Sequence, residues 1–169
     1  MKPWKNTLDS QKTTSRLAEG DTSLASKVLV LYYTRTGSTG KMAEAVAEGA
    51  KSVGGTEVDL LEDVSAEALA GYDAIIFGMP TYHHGMTNQM KSLLEDIAVK
   101  NVDLKVKVAA AFGSYGWSGE APKMIIEVLK NKFGMNVEDQ PLMIRYEPDE
   151  LGLQKCREFG RRIAEKVAH

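Results

Sequence analysis

Three largely apolar runs constrain this chain more than any other feature: VLVLYY at Val28 to Tyr33, which is continuous, DAIIFGM at Asp73 to Met79 and VKVAAAF at Val106 to Phe112. A strand with one face in water alternates apolar and polar residues. A continuous run belongs to a strand covered on both faces, as in a parallel sheet. The segments between the runs have the helical period. Lys41 to Val53 places Met42, Val46, Ala50 and Val53 three and four residues apart and ends at Gly54-Gly55. Met86, Met90, Leu93, Leu94 and Ile97 form the clearest stripe in the chain. Glu120 to Phe133 has Pro122 in its first turn and Gly134 past its end. Asp149 is placed to cap a last helix that carries Leu153, Cys156, Gly160, Ile163 and Val167 on one face. Thr56 to Leu61 reads as a second strand, Ser65 to Ala70 as a short weak helix, and Val137 to Tyr146 as a final strand. Pro141, which lacks an amide proton, assigns that final strand to a sheet edge. Strand and helix alternate five times, which predicts an α/β parallel sheet with helices on both faces and right-handed crossovers.

The 169 residues suit one domain. Residues 1–26 are polar and follow no sustained period, so they are expected to form a flexible arm, with residues 27–169 as the domain. Trp4 is the residue that would anchor the arm if it docked. A net charge of −2 gives no support to a general nucleic-acid binder. The single cysteine, Cys156, excludes an internal disulfide and a cysteine-rich metal site, and its place in an apolar stripe predicts core packing rather than thiol chemistry. No stretch is long and apolar enough for a membrane span, and no signal-peptide core is seen, so the expected location is the cytoplasm.

In a sheet of this kind the ligand lies at the carboxyl ends of the strands, at the switch in strand order. The loops after the first, third and fourth strands are therefore the informative ones. The first, TRTGST at Thr34 to Thr39, is rich in hydroxyls and precedes a helix, as a phosphate site would. A nucleoside triphosphate loop needs G-x-x-x-x-G-K-[ST]; here Arg35 replaces the first glycine and Met42 the magnesium-binding hydroxyl. A dinucleotide fingerprint needs G-x-G-x-x-G, and Arg35 again replaces its first glycine. What does match is the [ST]-x-T-G-x-T phosphate loop of flavodoxins. Hydroxyls of Thr34, Thr36, Ser38 and Thr39 can converge on one phosphate, Gly37 lets the backbone turn, and Arg35 and Lys41 either add long-range charge or are solvated cations.

The other two loops, GMPTYHHGMTNQM from Gly78 and FGSYGWSGEAPK from Phe112, set aromatics among small residues. An isoalloxazine ring needs flat apolar platforms and backbone donors along one edge. Tyr82, Tyr115 and Trp117 can supply the platforms, and Gly113, Gly116 and Gly119 allow close backbone approach. His83 and His84 are adjacent and point apart in extended structure, which argues against a metal pair; one of them could instead charge near pH 6–7 and tune a bound flavin.

From Lys27 onward the chain resembles a short-chain flavodoxin, and PTYHHGM and GSYGWSGEAPK are similar to the flavodoxin-like domain of flavodiiron (A-type) flavoproteins. The resemblance implies a three-layer sandwich whose five-stranded parallel sheet has the order 2-1-3-4-5. It also implies FMN as cofactor, cycling through a semiquinone, and single-electron transfer between redox partner proteins by a monomer or weak homodimer. The implied cofactor contacts are Thr34, Arg35, Thr36, Gly37, Ser38 and Thr39; Pro80, Thr81, Tyr82, His83, His84 and Gly85; and Ser114, Tyr115, Gly116, Trp117 and Gly119. A peptide among Tyr82 to Gly85 is the expected partner of flavin N5. Flavodiiron proteins carry a metal-binding domain ahead of this one, and residues 1–26 bear no such domain, so di-iron chemistry is not implied. The alternatives are an NAD(P)H:quinone reductase on the same fold and a binding module that has lost its flavin. An electron carrier is the leading expectation over a substrate-converting enzyme.

Overall fold

The computed structural model describes residues 25–81 and 85–168. Most of the expected arm, and Tyr82, His83 and His84, lie outside the described residues. The elements are β1 (Ser26–Tyr32), α1 (Ser38–Lys51), β2 (Thr56–Leu61), a 3-10 turn (Glu67–Gly71), β3 (Ala74–Gly78), α2 (Asn88–Val99), β4 (Val108–Tyr115), α3 (Glu120–Asn131), β5 (Asn136–Val137), β6 (Leu142–Arg145) and α4 (Glu150–Val167).

The sheet is parallel in the order β2-β1-β3-β4-β5, with β6 also pairing β4. The fifth position is therefore shared. β5 pairs Val108 and Ala109 at the amino half of β4, and β6 pairs Phe112 to Tyr115 at its carboxyl half. The single final strand expected over Val137 to Tyr146 is corrected to these two pieces. Pro141 lies between them, and its missing N–H cannot continue the ladder after Glu138 N–H donates to Ala109 O at 2.8 Å.

Each central strand divides its side chains between two cores. Leu29, Leu31, Ile75, Phe77, Ala109 and Ala111 face α2 and α3. Val28, Val30, Ala74, Ile76, Ala110 and Phe112 face α1 and α4. This two-sided burial explains the apolar runs. Three boundaries move for local reasons. α1 begins three residues before Lys41, because Gly37 turns the chain at φ 98. Met86 precedes its helix rather than starting it, because the Thr87 hydroxyl caps α2 by accepting from Met90 N–H at 3.3 Å. Val106 lies outside β4 in a left-handed turn at φ 57.

α1 and α4 meet through glycines. A Cβ at Gly49 would lie 1.8 Å from the Arg157 carbonyl oxygen, and one at Gly160 would lie 1.9 Å from that of Val46. The two backbones touch where any side chain would hold them apart. Asp149 caps α4 as expected, accepting from Gly152 N–H at 2.8 Å.

Cys156 is fully buried in the α1–α4 layer, and burial pushes its thiol up to about 11 against the small opposing pull of Arg157. The thiolate is the reactive form. At pH 8 the native thiol is expected to react with an aromatic disulfide reagent at least ~100-fold more slowly than in the denatured chain. Equal rates would mean that the residue is not in the core.

Candidate functional site

A cleft of about 340 Å³ opens at the carboxyl ends of the strands. Four segments line it: Arg35, Thr36 and Ser38 after β1, Pro80 and Thr81 after β3, Ser114 to Gly116 at the end of β4, and Tyr146 and Glu147 after β6.

The first segment forms a hydroxyl-centred turn. Tyr33 N–H donates to Gly78 O at 2.9 Å, extending the β1–β3 pairing by one residue. Thr34 Oγ1 then accepts from Gly37 N–H at 3.1 Å and Gly40 N–H at 3.2 Å, which leaves its own proton to donate elsewhere. Gly37, at φ 98 and ψ −14, adopts a conformation that side-chain-bearing residues rarely take. α1 starts immediately afterwards. The amides of Ser38 and Thr39 in its first turn have no intrahelical acceptor, and the helix adds partial positive charge there.

The second and third segments are joined to the first by hydroxyls. Thr39, buried, has Oγ1 2.8 Å from Ser114 Oγ. Thr81 N–H donates to Ser114 O at 3.4 Å, and Met79 N–H to Phe112 O at 3.1 Å. Gly113 permits that approach, since a Cβ there would lie 2.2 Å from Met79 O. Gly119 precedes α3 and has no side chain with which to cap it. Thr81 supplies the cap from another loop, its Oγ1 accepting from Ala121 N–H at 3.1 Å.

Of the expected site residues, the cleft is lined by Arg35, Thr36, Ser38, Pro80, Thr81, Ser114, Tyr115 and Gly116. Thr34, Gly37 and Thr39 shape the turn rather than line the cleft. The four hydroxyls expected to converge on one ligand are thus divided: Thr34 and Thr39 hold backbone or Ser114, while Thr36 and Ser38 face the cleft. Trp117 is 90% exposed and, like Gly85 and Gly119, is not among the lining residues.

Sequence reasoning missed Tyr146 and Glu147. They follow the last strand at the same end of the sheet, so the rule that selected the other loops would have found them. Tyr146 is left-handed at φ 62. Its N–H donates to Tyr115 O at 2.6 Å, and Arg145 Nε–H donates to Gly116 O at 3.2 Å. The Arg145 guanidinium lies 5.1 Å from the centre of the Tyr146 ring. Glu147 Oε2 pairs with Lys41 Nζ of α1.

A second cleft of about 460 Å³ lies beyond Thr34, lined by Tyr33, Glu62, Asp63 and Asp96 among others. Burial, and then Asp63, push the Tyr33 phenol up from its ordinary value. Three carboxylates repel a phosphate, so electrostatics favour the smaller cleft for an anionic ligand. Among the described residues no group of three or more His, Cys, Asp or Glu could hold a metal ion, and no helix is long and apolar enough to cross a membrane.

The sheet order defines a doubly wound α/β protein, and the hydroxyl-rich turn and the Tyr115–Gly116 wall form a cleft at its β1/β3 switch point. Residues 30–160 match the family model described as Flavodoxin, and the chain belongs to the flavodoxin family, whose members bind FMN. It is 38% identical over 161 residues to a flavodoxin from Aquifex aeolicus, covering 84% of this chain and 87% of that protein. A solved flavodoxin from an archaeon superposes with a TM-score of 0.77 at 38% identity, covering 85% of this chain and 99% of the other. A nitric oxide reductase from Moorella thermoacetica is 36% identical over 162 residues, 91% of this chain but only 39% of that protein. The chain likewise spans 36% of a type A flavoprotein from Rhodobacter capsulatus.

Proposed function

We propose that the chain holds FMN non-covalently in the 340 Å³ cleft and carries electrons singly between redox proteins of the cytoplasm, without converting a small substrate. The observation that carries this reading is the turn at Thr34 to Thr39, which places hydroxyl and amide donors, with Arg35 beside them, at one end of a cleft whose other wall is Tyr115 and Gly116. Phosphate oxygens would be met by the Thr36 and Ser38 hydroxyls and the amides of Ser38 and Thr39. Tyr115 and the Pro80–Thr81 segment would cover the ring and exclude water, and the sequence pattern adds Tyr82, His83, His84, Gly85, Trp117 and Gly119 as proposed contacts. When bound, FMN supplies one-electron chemistry; the protein supplies position and electrostatics. The match to independent flavodoxins supports a carrier over a quinone reductase. Reduction of nitric oxide belongs to a relative of which this chain spans a minority, and it is not part of the proposal.

The test is a titration of FMN with the full chain after removal of endogenous flavin. Saturable one-to-one quenching of flavin fluorescence is expected, with NAD(P)H oxidation by quinone remaining at the level of free FMN. Absence of saturation would overturn the cofactor assignment, and fast quinone turnover would overturn the carrier assignment.

A further inference from the structure

We infer that Glu147 sets the charge at the phosphate end of the cleft by pairing with Lys41, so that neither side chain presents an unbalanced charge to the anion; the inference rests on the FMN reading above. Lys41 stands one residue beyond the hydroxyl-centred turn, its amide donating to Gly37 O at 3.0 Å. Its ammonium is the one cation of the α1 first turn, and it pairs with Glu147 Oε2. Glu147 in turn lines the same cleft as Arg35, Thr36 and Ser38. The pair therefore joins the turn to the loop after β6.

The backbone that carries the carboxylate is anchored on both sides, which keeps its charge near the cleft. On one side Tyr146 N–H donates to Tyr115 O and Arg145 donates to Gly116 O. On the other, Pro148 is buried and Asp149 caps α4. Glu147 thus presents a negative charge at the cleft whether or not Lys41 answers it. A dianionic phosphate arriving beside the turn meets a local charge of zero from this pair. Removing Lys41 exposes it to a carboxylate, and removing Glu147 exposes it to a freed ammonium. Arg35 contributes the same charge in every case. Both paired side chains are more than half exposed, so the effect is moderate and screened by salt.

The experiment measures dissociation constants of FMN and of riboflavin, which lacks the phosphate, for the parent chain and for Glu147→Gln, Lys41→Gln and the double variant. At low salt FMN should bind tightest to Glu147→Gln and weakest to Lys41→Gln. Each single variant should differ from the parent by about 3–10-fold, as expected for one screened charge near another. The double variant should return to the parent value, and the differences should collapse near about 0.5 M salt. Riboflavin should bind all four alike. An Glu147→Gln protein that binds FMN no tighter than the parent overturns the inference. So does a riboflavin affinity that moves in parallel, since that indicates a loop displaced rather than a charge removed. A parent protein that binds neither flavin overturns the cofactor assignment itself and this inference with it.

Discussion

Gly160→Val is expected to lower the thermal midpoint by about 10 °C, from a destabilisation of roughly 3–5 kcal/mol. A Cβ at this position would stand 1.9 Å from the Val46 carbonyl oxygen, a distance no pair of atoms can keep. The obstacle is backbone in the middle of α1, so no rotamer change relieves it. The helices must separate, and Met42, Val46, Cys156 and Ile163 then lose the close packing of that layer. Gly49→Val should do the same from the other side, through the Arg157 carbonyl. The double variant should cost less than the sum, because the first separation makes room for the second side chain. Gly54→Ala is the control: nothing lies within 4 Å of a Cβ there, and the change should stay within about 0.5 kcal/mol. Thermal and urea melts of the flavin-free chains read all four. A shift under about 2 °C for Gly160→Val would mean that the helices are not in backbone contact.

Riboflavin should bind the parent protein at least ~100-fold more weakly than FMN. The cleft offers two first-turn amides and the hydroxyls of Thr36 and Ser38 to an anion, and a hydrogen bond to a charged group is worth about 1.5–3 kcal/mol. Even two such bonds, at the low end, amount to about two decades of affinity. Gly37→Val should remove much of this advantage. At φ 98 a β-branched residue is strained by about 1–3 kcal/mol. Relief of that strain loosens the turn centred on Thr34 Oγ1 and so shifts the Ser38 and Thr39 amides that follow Gly37. FMN should lose about 10-fold or more while riboflavin changes little, because the affected donors meet only the phosphate. Space is not the issue, since nothing lies within 4 Å of a Cβ at this glycine. Fluorescence titration of both flavins separates the effects, and equal losses for the two would refute a phosphate-specific turn.

The strand–turn–helix from β1 to α1 was legible because each part had a distinct chemistry: β-branched and aliphatic residues in a run, then hydroxyls and glycine, then a helical stripe. The two-layer core was legible for the same reason. The break at Pro141 was half legible. The missing N–H signalled an edge, but an edge strand can either tolerate that gap or divide at it, and the choice depends on pairing with β4. The roles of Thr34 and Thr39 could not be read, because a hydroxyl that braces a loop and one that faces a ligand look the same in a motif. Their separation needed Ser114, far away in sequence. Tyr146 and Glu147 escaped because neither residue type marks a flavin site alone; only their position after β6 does.

The Thr39–Ser114 and Thr81–Ala121 links have a kinetic consequence. They brace the described walls of the cleft from within, so little ordering of those walls is left to the arrival of a guest. Capture then approaches the pace of simple encounter, and variants of this mouth differ chiefly in how long the guest stays.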